Sequence, residues 1–270
     1  MKNDEAPLAL RRPFVRLAQA SISSEFLTAL RSKVPAARIV SLLPRYHPRD
    51  PQGPWKVFRW ELEKAYAEIM HKAGRSARTW KAVEKAPEIT TRLNPHAKKW
   101  IDKRAGDLCV ELSRQQHEVV RAFVATGYAR GARPEEIAQH LKTVVGLTER
   151  QQAAVDNFAD QEGVTDAQIE RYAKKQLAYR VENISRTENR TAVEQGRLAE
   201  WAQAKDDGEL PAGARKVWSS SPASYRLCEA CEEMDGQSAA LDEDFHSEDG
   251  DVDAPPLHPQ CRCTMTLEFD

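Results

Sequence analysis

Four of the five cysteines in this 270-residue chain lie close to its C-terminus. They read Cys228-x2-Cys231, then 26 other residues, then His258-x2-Cys261-x-Cys263. A thiolate pair two residues apart, met later by a His/Cys cluster in a closing turn, is the spacing that gathers soft ligands around one tetrahedral zinc ion. Cys228, Cys231, His258, Cys261 and Cys263 are therefore the candidate metal ligands, five donors for four positions. If all four positions are filled by protein, none stays open for water, and the single ion is structural.

Other chemistries fit these residues less well. Disulfides need an oxidising compartment, and no apolar leader follows the opening Met-Lys-Asn-Asp-Glu. A redox Cys-x-x-Cys needs a βαβ setting, which the segment around Cys228 lacks. A zinc deaminase carries His-x-Glu, whereas Pro259 and Gln260 follow His258. The acidic neighbours Glu229, Glu232, Glu233 and Asp235 are poor company for an ordinary apolar core.

The elements that must position these ligands are mostly helical. Arg11 to Lys33 suggests one or two short helices, and five prolines between Pro35 and Pro54 then forbid regular structure. Trp55, Phe58, Leu62, Tyr66, Ile69 and Ala73 recur at three or four, predicting a helix that Gly74 ends. A longer helix is expected over 96–128, with Cys109 as a small buried residue in it. Pro134, Gly146, Thr148 and Gln151 predict a helical hairpin. Its second helix carries Glu149, Asp156, Asp160 and Glu162 against Arg150 alone, the wrong sign for phosphate contact.

Thr165 and Gln168 open a helical pattern reaching Lys205, whose seam is apolar at both ends and holds Glu188 in the middle. A carboxylate on that stripe needs a partner if buried, and a structural role is preferred because no second acid or nucleophile is spaced beside it. Lys216 to Trp218 and Thr264 to Phe269 are expected strands, bracketing the ligands. The fold class is thus predominantly α, a helical body of long helices with a small zinc-stabilised C-terminal β/loop subdomain, α+β overall. Its expected segments are an arm and connector (1–54), a helical body (55–205) and a Cys/His subdomain (206–270).

Charge divides along the same line. Residues 228–270 hold 13 acidic and 1 basic residue, leaving 28 of the 41 acidic and 39 of the 40 basic residues before them. The body is near +11 and the tail near −12, so the tail is no DNA reader, while the body can lie against DNA without regard to sequence. The run from Asp242 to Asp253 lacks the Gly and Glu register of a calcium loop and is expected to be solvated and mobile. No apolar stretch approaches the roughly 20 residues of a membrane span.

Several short motifs, spread over roughly residues 95 to 265, resemble one family. They are Gly131-Ala132-Arg133-Pro134-Glu135-Glu136-Ile137, Gly146-Leu147-Thr148-Glu149-Arg150, Ile184-Ser185-Arg186-Thr187-Glu188, Trp218, the Cys228 pair, Asp235-Gly236 and Pro256-Leu257-His258-Pro259-Gln260-Cys261-Arg262-Cys263. The chain resembles the minor head (head morphogenesis) proteins of tailed bacteriophages, the phage Mu F-like family. The resemblance implies a virion component in few copies, assembled in the host cytoplasm. It implies association with portal and major capsid proteins, a role in head (procapsid) assembly or DNA delivery, and no established reaction, catalytic residue or small-molecule substrate. Two alternatives remain at this stage. One is a metal-dependent nuclease or Cys/His hydrolase using His258 with Cys261 or Cys263; the other is a DNA-binding helical protein with a structural zinc site.

Overall fold

The structure, a computed structural model, describes residues 11–20, 23–32, 34, 36–78, 94–133, 136–137, 141, 146–220, 227–248 and 250–269. Its helices are α1 (Arg11–Ala20), α2 (Ser24–Arg31), α3 (Ala36–Val40), α4 (Gly53–Ala77), α5 (Pro95–Ala129), α6 (Glu149–Ala159), α7 (Asp166–Asp206) and α8 (Glu229–Met234). Strands β1 (Arg215–Ser219), β2 (Ser238–Ala240) and β3 (Thr264–Glu268) form an antiparallel sheet in the order β2-β1-β3. The expected class, mainly helical with a small C-terminal sheet, is the observed one. Two compact units divide the chain: one of Met1–Pro7, Glu63–Lys103 and Asn183–Asp270, the other of Leu8–Leu62 and Arg104–Glu182.

In the second unit, Phe26, Leu30, Ile39, Leu43, Val120 and Leu141 are among the buried residues of one apolar core. The prolines do not abolish helix between 35 and 54, because α3 supplies Ile39 and Val40 to this core. The connector beyond is stapled by side chains: Trp55 Nε1 donates to the Pro44 carbonyl at 2.8 Å, and the Tyr46 N–H to Ser113 Oγ at 3.1 Å. Of the hairpin's first helix, only Glu136, Ile137 and Leu141 are described, all helical, and the remainder of 134–145 lies outside the described residues. Its second helix begins on the expected capping box, with Gln151 N–H on Thr148 Oγ1 at 3.3 Å and Thr148 N–H on Gln151 Oε1 at 3.1 Å. Arg180, buried beneath the turn, donates to the Gly146 carbonyl and to Gln115 Oε1 while its guanidinium stands 5.5 Å from the Phe14 ring centre. Burial lowers this group to about 10, so it stays charged at neutral pH.

His117 of α5 is also buried here, its ring near the Pro44 carbonyl. Burial, with Arg45 and Arg121 nearby, lowers its basicity despite the opposing influence of the Pro44 carbonyl. The folded chain therefore disfavours the proton that the unfolded chain accepts near the ordinary value of 6.5. This contribution to stability is complete above that value and is lost as pH falls below it. We expect His117→Leu to flatten the acid limb of denaturant midpoint against pH between about 7 and 5. An unchanged limb would show that His117 plays no part.

In the first unit, the α4 residues run past Gly74, which does not stop the helix. At Gly74 a Cβ would meet the Gly196 carbonyl at 3.2 Å, and at Gly196 a Cβ would meet Met70 Cα and O at 2.7 Å. The two glycines mark where the helix backbones touch. Alanine normally favours a helix by about 1 kcal/mol over glycine. Here the clash is with backbone, so Gly196→Ala is expected to destabilise by about 1–3 kcal/mol, read by urea denaturation. A stabilised variant would contradict the close approach.

Glu188 lies on the stripe that the sequence places it on. It is buried and accepts from Tyr66 Oη at 2.5 Å, so this carboxylate is partnered.

Candidate metal centre

The Cys-x-x-Cys pair is positioned by the first turn of α8. Cys228 is its N-cap residue, extended at φ −85° and ψ 155°, and its carbonyl accepts from the N–H groups of Cys231 and Glu232, both at 3.0 Å. That turn puts both sulfurs on one side, since residues three apart share a helix face. Asp235 and Gly236 then lock α8 to the sheet. Asp235 Oδ1 accepts from the Ser220 N–H at 2.6 Å, and Gly236, at φ 79°, donates its N–H to the Trp218 carbonyl at 2.9 Å.

The other candidate ligands follow from a tight turn. The Cys261 N–H donates to the His258 carbonyl at 3.1 Å, with Pro259 and Gln260 as the central residues and Gln260 at φ 65°. Pro at the first central position and positive φ at the second are the marks of a type II turn. The Gln260 side chain holds its own conformation by donating Nε2 to Asn183 Oδ1 at 2.9 Å.

All five predicted residues come together. Cys228 Sγ lies 3.1 Å and Cys231 Sγ 3.2 Å from His258 Nε2, and Cys231 Sγ lies 3.7 Å from Cys261 Sγ. Cys228, Cys231 and His258 form one trio, and Cys231, Cys261 and Cys263 another, with Cys231 in both; either can hold a metal ion. Zinc–sulfur bonds near 2.3 Å and zinc–nitrogen bonds near 2.0 Å at tetrahedral angles put sulfurs about 3.8 Å apart, and sulfur and nitrogen about 3.5 Å apart. The donor types fit that ion, as does the 3.7 Å sulfur–sulfur spacing, while His258 Nε2 stands about 0.3–0.4 Å closer to the two sulfurs than bound donors would. His258 Nδ1 lies 2.9 Å from the Pro259 carbonyl, which keeps a proton on Nδ1 and turns Nε2 toward the sulfurs.

The thiols are electrostatically unequal. A hydrogen bond from Cys263 draws Cys261 down to about 5, and that same bond, with burial, pushes Cys263 up. Burial pushes Cys231 up to about 12. At Cys228, burial opposes ionisation but hydrogen bonds from Cys231 and His258 outweigh it and lower the thiol. Cys261 is thus the readiest thiolate, with Cys263 as its donor. The Trp218 indole is buried against Cys263, and its N–H favours the Cys263 thiolate.

Two features escape sequence reasoning. The first is the core beneath the sheet, where Trp218, Met234, Phe245 and Met265 are joined by Trp201 of α7 and Ala77 of α4. The apolar face of the tail is thereby less slight than its strands suggest. The second is Glu194, fully buried on α7. It takes Arg197 Nη1 at 3.1 and 3.2 Å, Thr264 Oγ1 at 2.9 Å and the Met265 N–H at 3.1 Å. Burial pushes its carboxyl up, while Arg197, Arg190, Thr264 and Met265 pull it down. Arg190 adds a bond from Nε to the Cys263 carbonyl at 2.9 Å and another to that of Arg262. In sequence, Arg190, Glu194 and Arg197 look like the solvated charge ladder of any helix.

The acidic run is anchored rather than mobile. Its described carboxylates face solvent, but Phe245 and Val252 pair as an antiparallel bridge with N–H···O distances of 2.8 and 3.0 Å, and Phe245 is buried against Trp218. Lys216, itself buried, donates Nζ to the Asp253 carbonyl at 2.8 Å. An aromatic inside an acidic run is the available signal.

Long helices, a three-stranded sheet and a Cys/His cluster that can hold a metal define a mainly helical protein with a small Cys/His-bearing C-terminal sheet. Residues 118–266 match the family described as Phage Mu protein F like protein, and the chain belongs to that family. The family is one of phage head-related structural proteins. No curated protein and no solved structure matches the chain. Among the described residues, no helix is long and apolar enough to cross a membrane.

Proposed function

We propose that this chain is a non-enzymatic minor head protein, acting in head (procapsid) assembly or DNA delivery by docking on portal and major capsid proteins in the virion. Its tail is closed by one structural zinc ion held by Cys228, Cys231, His258 and Cys261, with Cys263 outside the shell as hydrogen-bond donor to Cys261. The observation that carries the metal reading is the run of contacts Cys228–His258–Cys231–Cys261 at 3.1, 3.2 and 3.7 Å. Four protein donors leave no position for a reactive water. The hydrolase alternative pairs His258 with Cys261 or Cys263, whereas Nε2 stands against Cys228 and Cys231. Family membership supports the head role, and the net charge of the body supports sequence-blind, salt-sensitive contact with packaged DNA.

Mass spectrometry of purified virions and procapsids tests the placement: the chain should be present in low copy relative to portal. Its absence from both would overturn the head role. Metal analysis of the purified protein should give one zinc per chain, retained in Cys263→Ser. Three protein ligands plus water in an absorption spectrum of the zinc would instead revive catalysis at the ion.

A further inference from the structure

The tail's unit contains a cleft of about 530 Å³, lined by the start of α5, the end of α7 and the loop after β2. Trp100, Leu198, Ala199, Ala202 and Leu241 make its apolar floor, and the two alanines leave the space open. Its walls carry the carboxylates Asp206, Asp242, Glu243, Asp244 and Asp253 against the ammonium groups of Lys99, Lys205 and Lys216.

Two of the three ammonium groups are engaged, Lys99 makes no ion pair among the described residues, and His96 Nε2 faces Asp206 Oδ2 at 2.8 Å. Lys205 pairs with Asp242 at 3.0 Å. Lys216 turns its Nζ to the Asp253 carbonyl at 2.8 Å and stands 4.9 Å from the Phe245 ring centre, and its charge offsets part of that of Asp253, Asp244, Asp242 and Glu243. Asp244 makes no hydrogen bond among the described residues, and only one oxygen of Glu243 is used, by the Ala240 N–H at 3.1 Å. A negative rim above an apolar floor with an indole in it is complementary to a long side chain that is apolar along its stem and cationic at its tip.

The geometry points to this cleft as the anchor site for a lysine or arginine side chain of a partner protein, its methylenes on Leu198 and Trp100 and its charge between Glu243 and Asp244. The virion reading supplies only where that partner resides. An anionic guest would meet an excess of carboxylates in a tail of net charge near −12.

The test uses the full chain and three capped amino acids, the Nα-acetyl methylamides of lysine, norleucine and glutamate, followed through the Trp100 indole N–H resonance. The lysine compound should shift that resonance saturably in the millimolar range, at least tenfold more tightly than norleucine. The Glu243→Gln/Asp244→Asn pair should weaken it about tenfold with an unchanged circular dichroism spectrum, and Ala202→Phe, which fills the cleft, should abolish it. Equal binding of norleucine, preferential binding of glutamate, or no saturable shift would each overturn the proposal. A positive titration for a chain absent from virions would sink the head role and leave the cleft standing; the reverse result would sink the cleft alone.

Discussion

Stripping zinc from the protein with a strong chelator is expected to unfold the Cys/His tail while most of the helical circular dichroism survives. The size of the effect follows from magnitudes. Structural zinc sites of this donor type bind with on the order of 10 kcal/mol at neutral pH, and a site absent from the unfolded chain passes that binding energy to folding. Whole domains are stable by only about 5–15 kcal/mol, so the small sheet and its core cannot absorb the loss. The buried Trp218 should become solvated, seen as a red-shifted emission, and the acidic segment around Phe245 should become protease-sensitive. Cys231→Ser should reproduce the chelated state, because Cys231 belongs to both donor trios, whereas Cys263→Ser should keep its zinc. A tail that keeps its near-ultraviolet spectrum and protease resistance after the metal has gone would show that Trp218, Phe245 and their neighbours suffice without an ion.

The Cys/His cluster is legible in the sequence because its spacing is local: Cys-x-x-Cys and His-x-x-Cys each close within one turn, so spacing alone predicts convergence. The long helices are legible through their apolar period. What stays hidden is what depends on contact between distant segments. Gly74 looks like a helix stop because glycine usually is one, but the backbone of Met70 and its neighbours pressing on Gly196 makes small size the requirement, and helix propensity yields. Strand β2, only Ser238–Ala240, has no β-forming residue and exists because Arg215 and Val217 offer it a register. Val252 and Phe245 fix the acidic segment through a bridge that no local pattern announces. Glu188 reads in sequence as a carboxylate needing a partner, though its partner Tyr66 lies 122 residues away.

Glu194→Ala is expected to be among the most damaging single changes outside the metal ligands. Strand β3 begins one residue after Cys263, and at Thr264 and Met265 this carboxylate ties it to α7, with Arg197 adding a bond to Thr264 Oγ1. Truncation leaves the Met265 N–H without its acceptor and the Arg197 guanidinium with Thr264 Oγ1 but no counter-charge on Glu194. Removing one partner of a buried ionic network costs about 3–5 kcal/mol, more than the pair itself contributes, because the remaining charge is uncompensated. Glu194→Gln keeps an oxygen for Thr264 or Met265 and should cost only about 1–2 kcal/mol. Arg190 makes the effect reach the metal, because it holds the backbone beside the ligands through the carbonyls of Arg262 and Cys263. Slackening of α7 against β3 should therefore speed zinc loss to a chromogenic chelator in the alanine variant more than in the glutamine one. If both variants unfold and release zinc like the wild-type chain, Glu194 is a passenger, and β3 is held by the sheet and the ion alone.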